Sequence, residues 1–61
     1  MIYRKIKWSN KPLLVWVENN KYQGFDGEGY SDIGSGYFKN STIPATEKEC
    51  KKILEIFNKK D

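Results

Sequence analysis

Apolar and polar side chains alternate from Ile2 to Trp8. Ile2, Arg4, Ile6 and Trp8 fall on one side of an extended chain, and Tyr3, Lys5 and Lys7 fall on the other. Ser9-Asn10-Lys11-Pro12 punctuates the pattern, and Leu13 to Glu18 resumes it with the β-favouring run Val15, Trp16, Val17. Asn19-Asn20 between Glu18 and Lys21 has the form of a two-residue type I′ hairpin, because Asn tolerates positive φ. Closing that turn pairs Glu18 with Lys21, Val17 with Tyr22, Trp16 with Gln23, Val15 with Gly24 and Leu14 with Phe25. A four-residue loop closing the first hairpin pairs Trp8 with Leu13, Lys7 with Leu14, Ile6 with Val15 and Lys5 with Trp16. The two hairpins sort side chains consistently. One face gathers Ile2, Ile6, Trp8, Leu13, Val15, Val17 and Tyr22, interrupted by Arg4. The other mixes apolar and cationic groups: Tyr3, Lys5, Lys7, Leu14, Trp16, Glu18, Lys21, Gln23 and Phe25.

All five glycines lie in residues 24–36, together with Asp26, Glu28 and Asp32, so the backbone there turns or bulges. A fourth strand is expected from about Tyr30 to Lys39, then a turn at Asn40-Ser41-Thr42. Thr46 and Glu49 form a capping box, after which Cys50, Ile53, Leu54 and Phe57 recur at helical spacing. Lys59-Lys60 suits the C-terminal end of the helix dipole and opens a frayed, charged tail. The pattern predicts a single α+β domain over residues 1–61: a three- to four-stranded antiparallel β-meander with one C-terminal α-helix packed on one face. The helix stripe is expected on the Ile6, Val15 and Val17 face. That leaves the Trp16 face to solvent, to a partner or to the glycine-rich segment.

Length limits what such a domain can do. With 61 residues, nearly every large side chain is needed for the core, and little remains to wall a deep catalytic cleft. The net charge of +3 is mild, and its basic side is ten Lys to one Arg. The excess is concentrated in residues 1–21, which carry +4. A single cysteine, Cys50, rules out an internal disulfide and suits a reducing compartment. The longest apolar run, Leu13 to Val17, is far below the ~20 residues of a membrane span, and a signal-peptide core is missing from the N-terminus. A cytoplasmic protein, in its own cell or a host cell, is the expectation.

Candidate chemistry is sparse. Without histidine, the commonest general base and metal ligand is lacking, and Cys50 on the helix stripe reads as a small buried hydrophobe. Asp26, Glu28 and Asp32 begin like a calcium loop, but Ser31 stands where that loop needs Gly and Tyr37 where it needs Glu. A solvated acidic turn is the better reading. The glycines match neither dinucleotide-binding nor Walker spacing and read as turn or bulge positions. The expectation is therefore a protein that is not an enzyme and needs neither cofactor nor metal. It acts as a small binding protein through a protein–protein interface on its sheet, with Tyr3, Lys5, Lys7, Leu14, Trp16, Lys21 and Phe25 as contact residues. The bias to Lys, Asn, Ile and Tyr, with AT-rich codons, suits a phage or mobile-element accessory protein that inhibits or modulates a host enzyme, such as a defence nuclease. The alternative uses the same basic-aromatic face for nucleic acid, with bases stacked on its rings. No membrane partner is expected, and an edge strand could pair with a second copy.

Overall fold

The computed structural model describes residues 1–59; Lys60 and Asp61, and with them the expected end of the charged tail, lie outside the described residues. The order is β1 (Ile2–Ile6), β2 (Pro12–Glu18), β3 (Lys21–Phe25), β4 (Tyr30–Ile33), α1 (Ser35–Ser41), β5 (Thr42–Pro44) and α2 (Lys51–Lys59). The five strands form one sheet in the order β4-β3-β2-β1-β5, every neighbouring pair antiparallel. The domain is α+β as expected, with one strand and one helix more than the sequence pattern suggested.

The β2–β3 ladder has the expected register, from Leu14 opposite Phe25 to Glu18 opposite Lys21. Asn19 and Asn20 turn the chain with φ of 54° and 64°, as a type I′ hairpin requires. The β1–β2 ladder is displaced by four residues from expectation: Ile2 faces Val15, Tyr3 faces Leu14, Arg4 faces Leu13 and Lys5 faces Pro12. Its loop is indeed four residues long but comprises Lys7 to Asn10. The Ile6 N–H donates to Lys11 O at 2.8 Å, and the Ser9 and Asn10 N–H groups both donate to Ile6 O at 3.2 and 2.7 Å. Asn10 takes the left-handed φ of 56° that this turn needs. Side chains alternate with period two, so a slip of four leaves each residue on its own face while removing Trp8 from the sheet.

Strand β4 stops at Ile33 instead of reaching Lys39. From there α1 begins, with the Phe38 N–H donating to Gly34 O at 3.0 Å. β4 and β5 occupy opposite edges and run parallel to one another, so their connection must cross three strands, roughly 19 Å at 4.8 Å per interval. Helix α1 makes that crossing over the Leu13 and Val15 face. Phe38 stacks on Tyr22 at 4.6 Å, and the Arg4 guanidinium lies 4.4 Å from the Phe38 ring centroid. Arg4 also donates to Thr42 Oγ1 at 3.0 Å, Thr42 O at 2.8 Å and Phe38 O at 3.2 Å. The charge that interrupts the apolar face is thus a clasp joining β1, α1 and β5.

With one face taken by α1, α2 lies on the other. This reverses the expected packing: the Cys50, Ile53, Leu54, Phe57 stripe covers Leu14, Trp16 and Phe25. The capping box forms, with Glu49 N–H donating to Thr46 Oγ1 at 3.2 Å and Thr46 N–H donating to Glu49 Oε1 at 3.0 Å. Leu14, Phe25 and Cys50 are fully enclosed between sheet and α2, while Val15 is fully enclosed on the opposite face. Two thin cores, one on each side of the sheet, replace the single core that one helix would give.

Candidate functional site

The seven residues expected at a sheet interface do not form one surface. Leu14 and Phe25 are interior, the latter against Phe57 at 5.6 Å. Trp16 is half-buried beside Phe57 at 5.4 Å, its indole N–H donating to Glu18 Oε1 at 3.1 Å. Tyr3 is half-buried at the margin of the same cluster. Lys5 reaches the capping turn ahead of α2, where its ammonium meets Glu49 Oε2 at 2.7 Å and, with the Thr46 backbone, holds the Glu49 carboxyl below its usual range. Lys7 and Lys21 are exposed at opposite ends of the sheet, separated by roughly 20 Å of strand.

Helix α2 therefore makes core of the centre of that face, and the apolar group left most open lies elsewhere. Trp8 is 70% exposed. Among the described residues it makes no ring contact and no side-chain hydrogen bond. Its loop is held by the three bonds around Ile6 and by a fourth, from Lys7 N–H to Ser41 O at 2.9 Å, which ties it to the α1–β5 junction. Lys7 and Lys11, both exposed, stand on either side of Trp8 in the chain. Leaving a large aromatic in water forgoes on the order of 2 kcal/mol of burial. That is a large share of the roughly 3–9 kcal/mol expected for a domain of this length. The signal for this residue was present in the sequence as Ser9-Asn10: a left-handed Asn10 closes the loop early and leaves Trp8 at its tip.

Strands β1 and β3 run in the same direction, so the β3–β4 turn lies at the same end as Trp8. In that turn Asp26 Oδ1 accepts from the Glu28 and Gly29 N–H groups at 2.9 and 3.0 Å, while Gly27 takes φ of 98°. These two bonds, aided by the nearby Lys11 charge, hold the Asp26 carboxyl below its ordinary value. Between this end of the sheet and α1 lies a cleft of about 310 Å³, lined by Ile6, Leu13, Ile33, Tyr37, Asp26 and Asp32 among others.

Among the described residues no three Cys, Asp or Glu side chains gather as a metal site. Burial raises the Cys50 thiol above its ordinary value, and its Sγ donates weakly to Arg4 O at 3.6 Å, so the thiolate needed of a nucleophile is suppressed. Among the described residues no helix is long and apolar enough to cross a membrane. The chain matches no protein-family model, no curated protein and no solved structure.

Proposed function

We propose that the chain is a small non-catalytic binding protein that engages a protein partner through the Lys7–Lys11 loop, with Trp8 as the anchor. The observation that carries this reading is the 70% exposure of an aromatic side chain on a loop fixed by four backbone hydrogen bonds. Tryptophan is the residue most enriched at binding hot spots, and a loop already rigid loses little entropy when it docks. Exposed Lys7 and Lys11 supply the polar rim of such a contact. The test is capture from nuclease-treated lysate by wild type, by Trp8→Ala and by Lys7→Ala/Lys11→Ala, with folding checked by circular dichroism. A partner held by wild type and lost by folded Trp8→Ala supports the reading. Identical capture profiles for wild type and Trp8→Ala overturn it.

The pairing of exposed lysines with an exposed indole also favours a second reading, contact with single-stranded nucleic acid. Geometry makes this the weaker one: Lys5 is engaged by Glu49, Lys21 lies at the far end, and Asp26 sits beside the loop. With only Lys7 and Lys11 to meet phosphates, the log–log salt slope is expected near −1.4 on single strands. Failure of labelled single-stranded DNA and RNA to bind at ~50 mM salt removes it.

A further inference from the structure

One end of the sheet carries both halves of a complementary pair. The cleft beneath α1, at about 310 Å³, is at the lower limit of the ~300–1,000 Å³ typical of ligand pockets and therefore suits one large side chain. Leu13, Ile6, Ile33 and Tyr37 give it apolar walls, Asp26 and Asp32 add two carboxylates, and its lining includes no Lys or Arg. Asp26 Oδ1 is occupied by its own turn, whereas Asp26 Oδ2 and both Asp32 oxygens accept no hydrogen bond among the described residues. Such a cleft calls for an apolar body carrying an N–H donor with cations beside it. The Trp8 loop has that composition: an exposed indole whose N–H has no acceptor among the described residues, between Lys7 and Lys11.

We infer that the cleft is filled by a second copy of this chain, the Trp8 loop of each molecule entering the cleft of the other. The inference rests on the Trp8 loop being a contact element and names its partner. Ile6, which lines the cleft, directly precedes Lys7, so loop and cleft adjoin on each molecule. A two-fold axis passing between them satisfies both contacts at once and closes the assembly as a pair instead of a filament. Lys7 and Lys11 then approach the carboxylates of the opposite molecule, and because these charges are exposed the association weakens with salt. Within each chain Lys11 already lies close enough to influence Asp26, so Lys7 supplies the main new attraction.

Sedimentation equilibrium over a concentration series tests this with wild type, Trp8→Ala and Asp26→Asn/Asp32→Asn. Asn at position 26 retains the acceptor that its turn requires. Wild type is expected to dimerise, and Trp8→Ala to raise the dimer dissociation constant at least about thirtyfold while its circular dichroism stays unchanged. The carboxamide variant should dimerise more weakly and lose most of the salt dependence. In parallel, the Trp8 indole N–H and the Leu13 and Ile33 methyl resonances should shift together with protein concentration. A wild type that remains monomeric at every attainable concentration overturns the inference, as does a dimer that survives Trp8→Ala. A monomeric wild type whose capture of another protein still depends on Trp8 overturns self-pairing alone and leaves the loop's binding role standing.

Discussion

Replacing Phe25 by Ala and, separately, Trp8 by Ala should have opposite consequences even though both remove a large ring. Phe25 has no exposed surface; it lies 4.8 Å from the Tyr30 ring and 5.6 Å from Phe57, opposite Leu14 in the ladder. Truncating a buried Phe costs about 3–5 kcal/mol, because the lost transfer energy is joined by a cavity that neighbours only partly fill. Against a total stability of roughly 3–9 kcal/mol for 61 residues, Phe25→Ala leaves a domain that is at best marginal. At about 4–8 °C per kcal/mol, its Tm falls by at least about 12 °C if it folds at all. Trp8 is 70% exposed, and substitutions at such positions usually change stability by no more than about 0.5 kcal/mol, or about 4 °C. Urea titrations followed by circular dichroism measure both, with equal slopes for wild type and Trp8→Ala reporting that the same surface is exposed on unfolding. A Phe25→Ala protein within about 1 kcal/mol of wild type, or a Trp8→Ala protein losing more than about 2 kcal/mol, would refute the division into core and contact residues.

Three further outcomes follow from particular contacts. Arg4→Met removes the donors to Phe38 O, Thr42 O and Thr42 Oγ1, and should cost about 2 kcal/mol in urea titration; Arg4→Lys should recover less than half, since an ammonium cannot reproduce the planar fork. Gly27→Ala forces a side chain onto φ of 98° with its Cβ 3.0 Å from Ile53 Cγ2, and should destabilise by more than about 1 kcal/mol, read as a lower urea midpoint. Glu49 is held below its ordinary value by Lys5 and the Thr46 backbone, so its contribution is present above the unfolded-state value and disappears as pH falls through the lowered folded value. The Tm gap between wild type and Glu49→Gln should therefore close on acidification from neutral pH.

The parts of the fold legible in the sequence were those fixed by local chemistry. Asn19-Asn20 determined the β2–β3 register, and Thr46 with Glu49 formed the expected capping box, with residues 47–50 as turn ahead of α2 at Lys51. Alternation sorted side chains onto two faces, and that sorting survives because the displacement of β1 against β2 is an even number of residues. The same periodicity could not separate one even register from another; that choice falls to Asn10 and to the Lys7–Ser41 bond, a contact 34 residues apart in sequence. Helix α1 was hidden because Ser35 to Ser41 contains Gly36 and the β-favouring Tyr37 and Phe38 and lacks a repeating apolar stripe. Because α1 occupies the Val15 face, α2 packs on the opposite one, which the pattern of apolar residues alone does not reveal. Expected contact residues Leu14 and Phe25 are core for that reason, and Trp8, expected in the core, is exposed in the β1–β2 loop.

Nuclear Overhauser contacts of the two indoles examine both placements in one spectrum. The Trp16 ring should show contacts to Phe57, while the Trp8 ring in the monomer should show none to another aromatic ring. Contacts from Phe57 to Val15 or Ile6, or from Trp8 to Leu13 at dilutions where the protein is monomeric, would contradict the account.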